Sequence, residues 1–322
     1  MNRSTPAIDV RDLVKLYRRK SGHSVRALDG LSLRVEQGEI FGLLGRNGAG
    51  KTTLLRILTT LIHPTAGSAS VMGLDVVEHP YEVRKRICTV LQENAVELYL
   101  SVADNLATYG RFQSIPPRDI KQQVARVLEQ FELDEYRNQK VIDLSGGLKR
   151  RVQVSKVFMV NRPVIFLDEA TTGMDPINKR ATIEAIRNQA RLGRTIFLTT
   201  HILQEAEELC DTITIIDHGR TVAQGNLQTI KSLSSRAFDM SITFDELTDV
   251  ILHDLEQLPL LKLTHKHHTA EICVKGSELS ALSILKTLAE RYTILHFEVG
   301  RATLEEVFLE ILGQDDGEEI PP

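Results

Sequence analysis

Two stretches of this chain carry residue types whose spacing can handle a polyphosphate. The first, Gly45-Arg46-Asn47-Gly48-Ala49-Gly50-Lys51-Thr52, fits the pattern G-x-x-x-x-G-K-[ST]. Its glycines let the backbone curl round a phosphate with successive N–H groups aimed at the oxygens. A helix that follows adds the positive end of its dipole. In that frame Lys51 reaches the β- and γ-phosphates and the Thr52 hydroxyl ligates Mg²⁺. The expected nucleotide-binding set here is Gly45, Asn47, Gly48, Ala49, Gly50, Lys51, Thr52 and Thr53. The second stretch, Val164-Ile165-Phe166-Leu167-Asp168-Glu169, is an apolar run ending in two carboxylates. Side chains alternate along a strand, so Asp168 and Glu169 are expected to point different ways. One of them can then hold Mg²⁺ through water while the other orients or deprotonates an attacking water. A glycine-rich turn before a helix is the lesser reading of the first stretch; alone, the second would read as a strand with an acidic end. Together they predict ATP binding.

Elements of the right kind flank both stretches. The run IFGLL (40–44) precedes the loop as a strand, and TTLLRILTTL (52–61) follows it with helical period. Including IFGLL and the acidic stretch, short apolar runs at 38–45, 86–92, 163–169, 194–200 and 211–217 alternate with helical segments. Continuous apolar strands alternating with helices imply a mostly parallel sheet covered on both faces. The opening SVRALDGLSLRVEQGE alternates instead, as antiparallel hairpin strands do. Residues 93–160 are mainly helical in pattern and are read as a helical subdomain inserted into the sheet domain. After residue 228 the order changes to strand 238–244, helix 245–257, strands 259–265 and 270–275, helix 278–291, strand 292–298 and helix 302–313. That is the β-α-β-β-α-β order of a ferredoxin-like motif with one added helix. The expected organisation is an α/β nucleotide-binding domain over 1–228, an accessory α+β ferredoxin-like domain over 229–313 and an acidic tail over 314–322.

Composition removes several classes of function. Lys plus Arg is 39 and Asp plus Glu 43, a net charge of -4 that gives no field for gripping a nucleic-acid backbone. No stretch approaches the roughly 20 apolar residues of a bilayer-spanning helix, and the N-terminus lacks a signal-peptide core. Cys88, Cys210 and Cys273 are far apart and read as buried thiols of a reducing compartment. A cytosolic chain is expected, with any membrane role supplied by a partner.

A third motif narrows the reading. Leu144-Ser145-Gly146-Gly147-Leu148-Lys149-Arg150-Arg151 precedes a helical run to Val160 and then the acidic strand. Here residues 7–225 resemble the ATP-binding-cassette (ABC) ATPases, whose signature LSGGQ stands as LSGGL. Ser145, Gly146 and Gly147 open a helix, a second anion-binding N-terminus, and Ser145 also suits its N-cap. A helix of about 15 residues spans roughly 22 Å, which makes it hard for the signature to reach its own phosphate loop. In the family, head-to-tail dimerisation brings each signature to the ATP held by the other subunit.

The resemblance implies further roles. Gln92, at the end of a predicted strand, matches the Q-loop glutamine that touches Mg²⁺ and couples the site to the helical subdomain. His201, after RTIFLTT, matches the switch histidine at the γ-phosphate. Asp175, in Thr172-Gly173-Met174-Asp175, matches the D-loop aspartate that bridges the dimer, and Tyr17 the aromatic that stacks on adenine. The implied catalytic set is Glu169, His201, Lys51 and Gln92, with Thr52, Gln92 and Asp168 for the metal. Leu148, Ala170 and Met174 depart from the common signature Gln, Pro and Leu. Losing the signature amide leaves the Ser145 hydroxyl and the glycine N–H groups. The cluster Lys149, Arg150 and Arg151 reads as a solvated first turn facing phosphate or a partner.

Within the family, the phosphate-loop segment and the C-terminal RATLEEVFLEILG are similar to the ATP-binding subunits of ABC-2-type exporters. Leu304, Val307, Phe308 and Ile311 of that segment are expected to pack on the small domain's sheet. The resemblance implies ATP and Mg²⁺ as ligands, a second copy of the chain, and separate transmembrane permease subunits through which a substrate is exported. It places the protein in the cytoplasm, peripheral on the inner face of the membrane, with no nucleic-acid partner. A soluble ABC ATPase acting on ribosomes or DNA is the alternative. The single ATPase domain, the lack of sustained heptads and the acidic balance disfavour it.

Overall fold

The structure is a computed structural model that describes residues 5–18, 24–90, 96–233, 237–258, 260–275, 278–301 and 303–313. It forms two compact units, Met1–Asn226 and Leu227–Pro322.

In the first unit, β1 (Ile8–Arg18) and β2 (Ser24–Val35) make the expected antiparallel hairpin. With β4 (Ala66–Val71) and β5 (Leu74–Asp75) they complete a sheet of order β2-β1-β4-β5. The apolar runs form β3 (Ile40–Leu44), β6 (Ile87–Val90), β7 (Val164–Asp168), β8 (Thr195–Thr199) and β9 (Thr212–Asp217). These run parallel, and β10 (Arg220–Gly225) closes one edge as a hairpin, in the order β10-β9-β3-β8-β7-β6.

The strands are apolar throughout because both faces are covered. Val164 and Phe166 of β7 face one core with Phe41, Phe197 and α1 (Lys51–Leu58); Ile165 and Leu167 face another, with helices of the inserted segment. Phe197 sits between Phe41 and Phe166, with ring centroids 5.1 and 5.4 Å away. Full burial of each such side chain contributes about 1.5–3 kcal/mol. The sheet's order is completed on its flanks by α2 (Pro80–Arg86), α6 (Pro176–Arg191) and α7 (Leu203–Leu209).

The segment between β6 and β7 holds α3 (Val102–Phe112), α4 (Pro117–Gln130) and α5 (Gly146–Lys156). Ser101 caps α3 by accepting from Asp104 N at 3.0 Å, and Pro117 opens α4. The helix after the signature is shorter than expected. It has 11 residues and ends in a tighter turn over Val157–Met159. The second turn of this helix lies against the end of β7, where Arg150 Nη2 donates to Asp168 O. Of the cysteines, Cys88 is buried, and burial pushes its thiol up to about 12; burial raises the Cys210 thiol as well, and Cys273 is half-buried.

The second unit starts with α8 (Leu227–Lys231). It continues with β11 (Ala237–Phe244), α9 (Asp249–Glu256), β12 (Leu260–Lys266), β13 (Thr269–Lys275), α10 (Glu278–Arg291), β14 (Ile294–Arg301) and α11 (Leu304–Gly313). The sheet order β12-β13-β11-β14, antiparallel at every pair, is that of a ferredoxin-like fold. Phe238, Met240, Ile242 and Phe244 alternate along β11 into a core with Ile251 and Leu255 of α9 and Ala281, Leu285 and Leu288 of α10. α9 starts later than the pattern indicates because Thr248 caps it, accepting from Ile251 N at 3.4 Å. Leu304 and Val307 of α11 are buried and Phe308 and Ile311 half-buried, and the helix also contacts α8. No described helix is long and apolar enough to cross a membrane.

Candidate functional site

In a parallel sheet the strand ends and the loops that follow them collect at one edge, where ligands bind. Leu43 pairs with Thr199 and Thr199 with Asp168, so β3, β8 and β7 finish in one row. That row brings together the glycine loop, the two carboxylates and His201.

The loop 45–50 leaves β3 and turns directly into α1. Gly50 is its N-cap residue with φ +108, and a Cβ there would lie 2.6 Å from Ala27 O. Gly45 is equally constrained, since a Cβ would meet Ile216 O at 2.5 Å. Ala49 N donates to Arg46 O at 3.1 Å, and Ala49 O accepts from Gly219 N at 3.0 Å, so the β9–β10 turn braces the loop. Gly48 (φ +87) and Asn47 are exposed at the tip; Thr52 is exposed and Thr53 half-buried in the first turn of α1. Lys51 is buried, and its Nζ donates to Gly45 O (2.6 Å) and Arg46 O (3.1 Å). Burial lowers its pKa, against the opposing pull of Glu169 and Asp168. Those opposing carboxylates tie the two sequence stretches to one site.

The carboxylates separate as expected, for a different reason. β7 ends at Asp168, so Glu169 lies beyond the alternation of the strand. Asp168 is buried and accepts from the Thr199 hydroxyl through Oδ1, which leaves Oδ2 as its other donor oxygen. Glu169 takes a left-handed backbone conformation, φ +51. For a residue other than glycine this costs roughly 1–2 kcal/mol, and such strain concentrates at functional sites. Its N–H donates to Thr199 O at 2.9 Å, and its Oε1 lies 2.8 Å from His201 Nδ1. A carboxylate accepts, so Nδ1 of His201 is the donor in this contact and Nε2 is turned away from Glu169.

Beneath this pair is a network that no sequence pattern signals. Glu205 of α7, fully buried, accepts from Thr171 Oγ1 (2.8 Å) and Thr200 Oγ1 (2.6 Å). It thereby links the segment after Glu169 to the residue before His201. Burial raises its pKa, with both threonine hydroxyls opposing.

The signature residues follow their local chemistry. Ser145 caps α5, its hydroxyl accepting from Leu148 N at 3.3 Å. Gly147 lies against α6, where a Cβ would stand 3.1 Å from Asp175 Oδ2. Asp175 caps α6: Oδ1 accepts from Ile177 N (3.1 Å) and Asn178 N (3.0 Å), and Oδ2 from Asn178 Nδ2 (2.5 Å). Asn178's backbone N–H and side-chain amide hold the Asp175 carboxyl below its usual range. Gly146, Lys149, Glu169 and Gly173 line a common cleft of about 390 Å³.

The basic cluster is not the solvated turn expected. Arg151 is 4% exposed and donates to Asn178 Oδ1 (3.1 Å) and Glu132 Oε2 (3.0 Å). Lys149 Nζ donates to Ile142 O at 2.9 Å, and Arg150 turns inward to the end of β7. Helical period explains the error: consecutive residues point in different directions, so a charge run does not share a face. Tyr17 stands past the last β1–β4 pair, Val14↔Ala66, with 37% of its surface exposed and Lys15 Nζ 5.4 Å from its ring centroid. Gln92 lies outside the described residues. Among the described residues no group of three His, Cys, Asp or Glu side chains could hold a metal.

The model of the ABC transporter family matches residues 28–172. The daunorubicin/doxorubicin resistance ATP-binding protein of Streptomyces peucetius is 34% identical, over 96% of this chain and 93% of its own. The doxorubicin resistance ATP-binding protein of Mycobacterium tuberculosis is 37% identical over 88% and 87%. A Nod factor export ATP-binding protein of Ralstonia nicotianae is 32% identical over 97% and 95%. The solved ATP-binding subunit of an ABC transporter, 27% identical, superposes with a TM-score of 0.62 over 71% of this chain and 93% of that one. A dimeric ATP-binding cassette in a post-hydrolysis state with ADP and Pi, 22% identical, shares the fold at the same score, over 68% and 98%. The chain therefore belongs to the ATP-binding proteins of ABC transporters and is an ATPase.

Proposed function

We propose that this ATPase drives export through separate ABC-2-type transmembrane permease subunits, with its nucleotide-binding domain over 1–228 and an accessory domain over 229–313. The observation that carries this is the reach of the likeness. Resistance and export ATP-binding proteins match 96–97% of the chain, the second unit included. The protein then works at the cytoplasmic face of a membrane, held there by its permease.

The roles follow from the strand-end row. Backbone N–H groups of Gly45 to Gly50 and the α1 terminus bind the phosphates, and Lys51 exchanges its two carbonyl partners for phosphate oxygens. Thr53 adds a phosphate contact and Tyr17 a face for adenine. The hydroxyl of Thr52 and Oδ2 of Asp168 are hard oxygen donors at the same edge. This small set, lacking a dedicated carboxylate cage, fits Mg²⁺ bound mainly through water and substrate phosphate; Gln92 is assigned with them. When bound, the ion neutralises developing charge on the transferred phosphoryl group. Glu169 accepts a proton from the attacking water, and His201, oriented by its Nδ1–H bond to Glu169, donates to the γ-phosphate as the imidazolium, with a second proton on Nε2. Ser145, Gly146 and Gly147 of one copy complete the site of a second copy, and Asp175 stands at the same junction.

A mild-detergent pull-down of the tagged Glu169→Gln protein with ATP, read by mass spectrometry, tests the export reading. Recovery of a polytopic membrane protein is the expected result. Recovery of ribosomal or DNA-associated proteins in its place overturns it.

A further inference from the structure

We propose that Arg150 is a positioning residue for hydrolysis, whose guanidinium clamps the carbonyls of Asp168, Glu169 and Ala170 and so fixes where the Glu169 carboxylate stands. This rests on the reading of Glu169 as the water-activating group.

The geometry is specific. Arg150 Nη2 donates to Asp168 O at 2.6 Å and Glu169 O at 2.8 Å, and Nε reaches Ala170 O at 3.3 Å. Nη1 is tied to Gln153 Oε1 at 2.7 Å, one turn further along α5, so the plane of the fork is itself held. A planar guanidinium spans carbonyls on three successive residues; an ammonium, with its donors at one point, does not. The need for such a clamp is visible at Glu169. The β7–β8 ladder ends at Asp168, and the next residue adopts φ +51. Thr199 O holds its N–H, while its carbonyl accepts from Arg150 and, at 3.3 Å, from Thr172 N. Bonds to a charged donor are the stronger kind, so Arg150 is the firmer hold on the carbonyl side.

The clamp also joins two motifs. α5 begins at the signature, with Ser145 at its N-cap. A shift of α5 relative to β7 therefore moves the donors that set the Glu169 backbone. Glu169 and His201 form their 2.8 Å contact on that backbone. A displacement of about 1 Å at such a group costs on the order of 10²-fold in rate.

The test is steady-state ATP turnover and fluorescent-nucleotide binding on the full chain carrying Arg150→Ala, Arg150→Lys or Glu169→Gln, and the Arg150→Ala/Glu169→Gln pair. Arg150→Ala is expected to lower kcat about 10²-fold, with KM and nucleotide Kd within about twofold. Arg150→Lys recovers part of kcat, and Arg150→Ala adds no further loss to Glu169→Gln. Unchanged kcat, a parallel loss of kcat and nucleotide affinity, or a compounded loss in the pair overturns the proposal. If Arg150→Ala does not fold, Arg150→Lys decides alone: the same kcat-only loss supports the clamp, and wild-type kcat or a parallel loss removes it. Undiminished turnover in Glu169→Gln is a separate outcome, which removes the role of Glu169 itself.

Discussion

The carboxyl edge of the parallel sheet and the ferredoxin-like unit are built on opposite principles. At the sheet edge, strain and buried polarity are tolerated. Glu169 is left-handed, Gly45 and Gly50 admit no Cβ, and Lys51, Asp168, Arg151 and Glu205 are buried polar groups. In the second unit, β11 buries four apolar side chains by plain alternation, and polar pairs such as Tyr292 Oη to Asp254 Oδ2 (2.7 Å) stand at the margin. Strain that persists in a native fold is over-determined by its surroundings and collects where chemistry is done. The second unit has a left-handed residue of its own, His267 (φ +54) in the β12–β13 turn, so what separates the units is the buried polar network around the strand ends rather than strain alone.

Substitutions can break that contrast in either direction. The largest expected effect is in the second unit. Phe244→Ala empties a fully buried site that meets Tyr292 edge-on and should cost about 3–5 kcal/mol. Native-state hydrogen exchange should then speed in β11 and β13 while β3 and β7 keep their protection. Equal loss in all four strands would mean that the two units do not differ as described. Next comes Lys51→Ala, which removes a charged partner of the phosphates and should weaken ATP affinity about 10–100-fold by titration calorimetry. Its effect on second-unit protection should be nil.

Smaller effects sharpen the picture. Ser145→Ala removes one hydroxyl and the α5 cap, about 1 kcal/mol of helix stability, and should weaken ATP-driven self-association roughly tenfold. Analytical ultracentrifugation with Glu169→Gln in the background reads this directly; undiminished association removes Ser145 from the nucleotide contact. Glu205→Gln should act least and with a definite sign. Burial raises the Glu205 pKa, so the protonated acid favours the fold. That stability is present below the unfolded value of 4.5 and is lost as pH rises through the folded value. The amide escapes the loss, so the variant should melt higher than the parent at pH 8 and level with it near pH 4.

What could be read from sequence follows the same division. The phosphate loop and acidic strand were legible because their chemistry needs contiguous residues at set spacing. The strands of both units were legible because burial on one face or both leaves period two or an apolar run. The buried links were not. Arg150 and Arg151 sit in a charge run that looks solvated, and Glu205 lies in the acidic stretch QEAEE with nothing to mark it from its neighbours. Their roles depend on partners distant in sequence, such as the carbonyl of Asp168, 18 residues from Arg150, and the hydroxyl of Thr171, 34 from Glu205. The left-handed turn at Glu169 was equally hidden, since glutamate has no preference for it. The α8–α11 contact escaped notice because a short helix at the unit's start carries too little periodicity to announce a docking face.

The central claim is that the strained, histidine-paired carboxylate of Glu169 activates water and that ATP binding does not depend on it. Turnover and retained nucleotide measured together on Glu169→Gln test this most directly. A loss of kcat of about 10²-fold or more, with ATP still bound at wild-type affinity, is the predicted result. Wild-type turnover, or turnover and ATP affinity falling together, would contradict it.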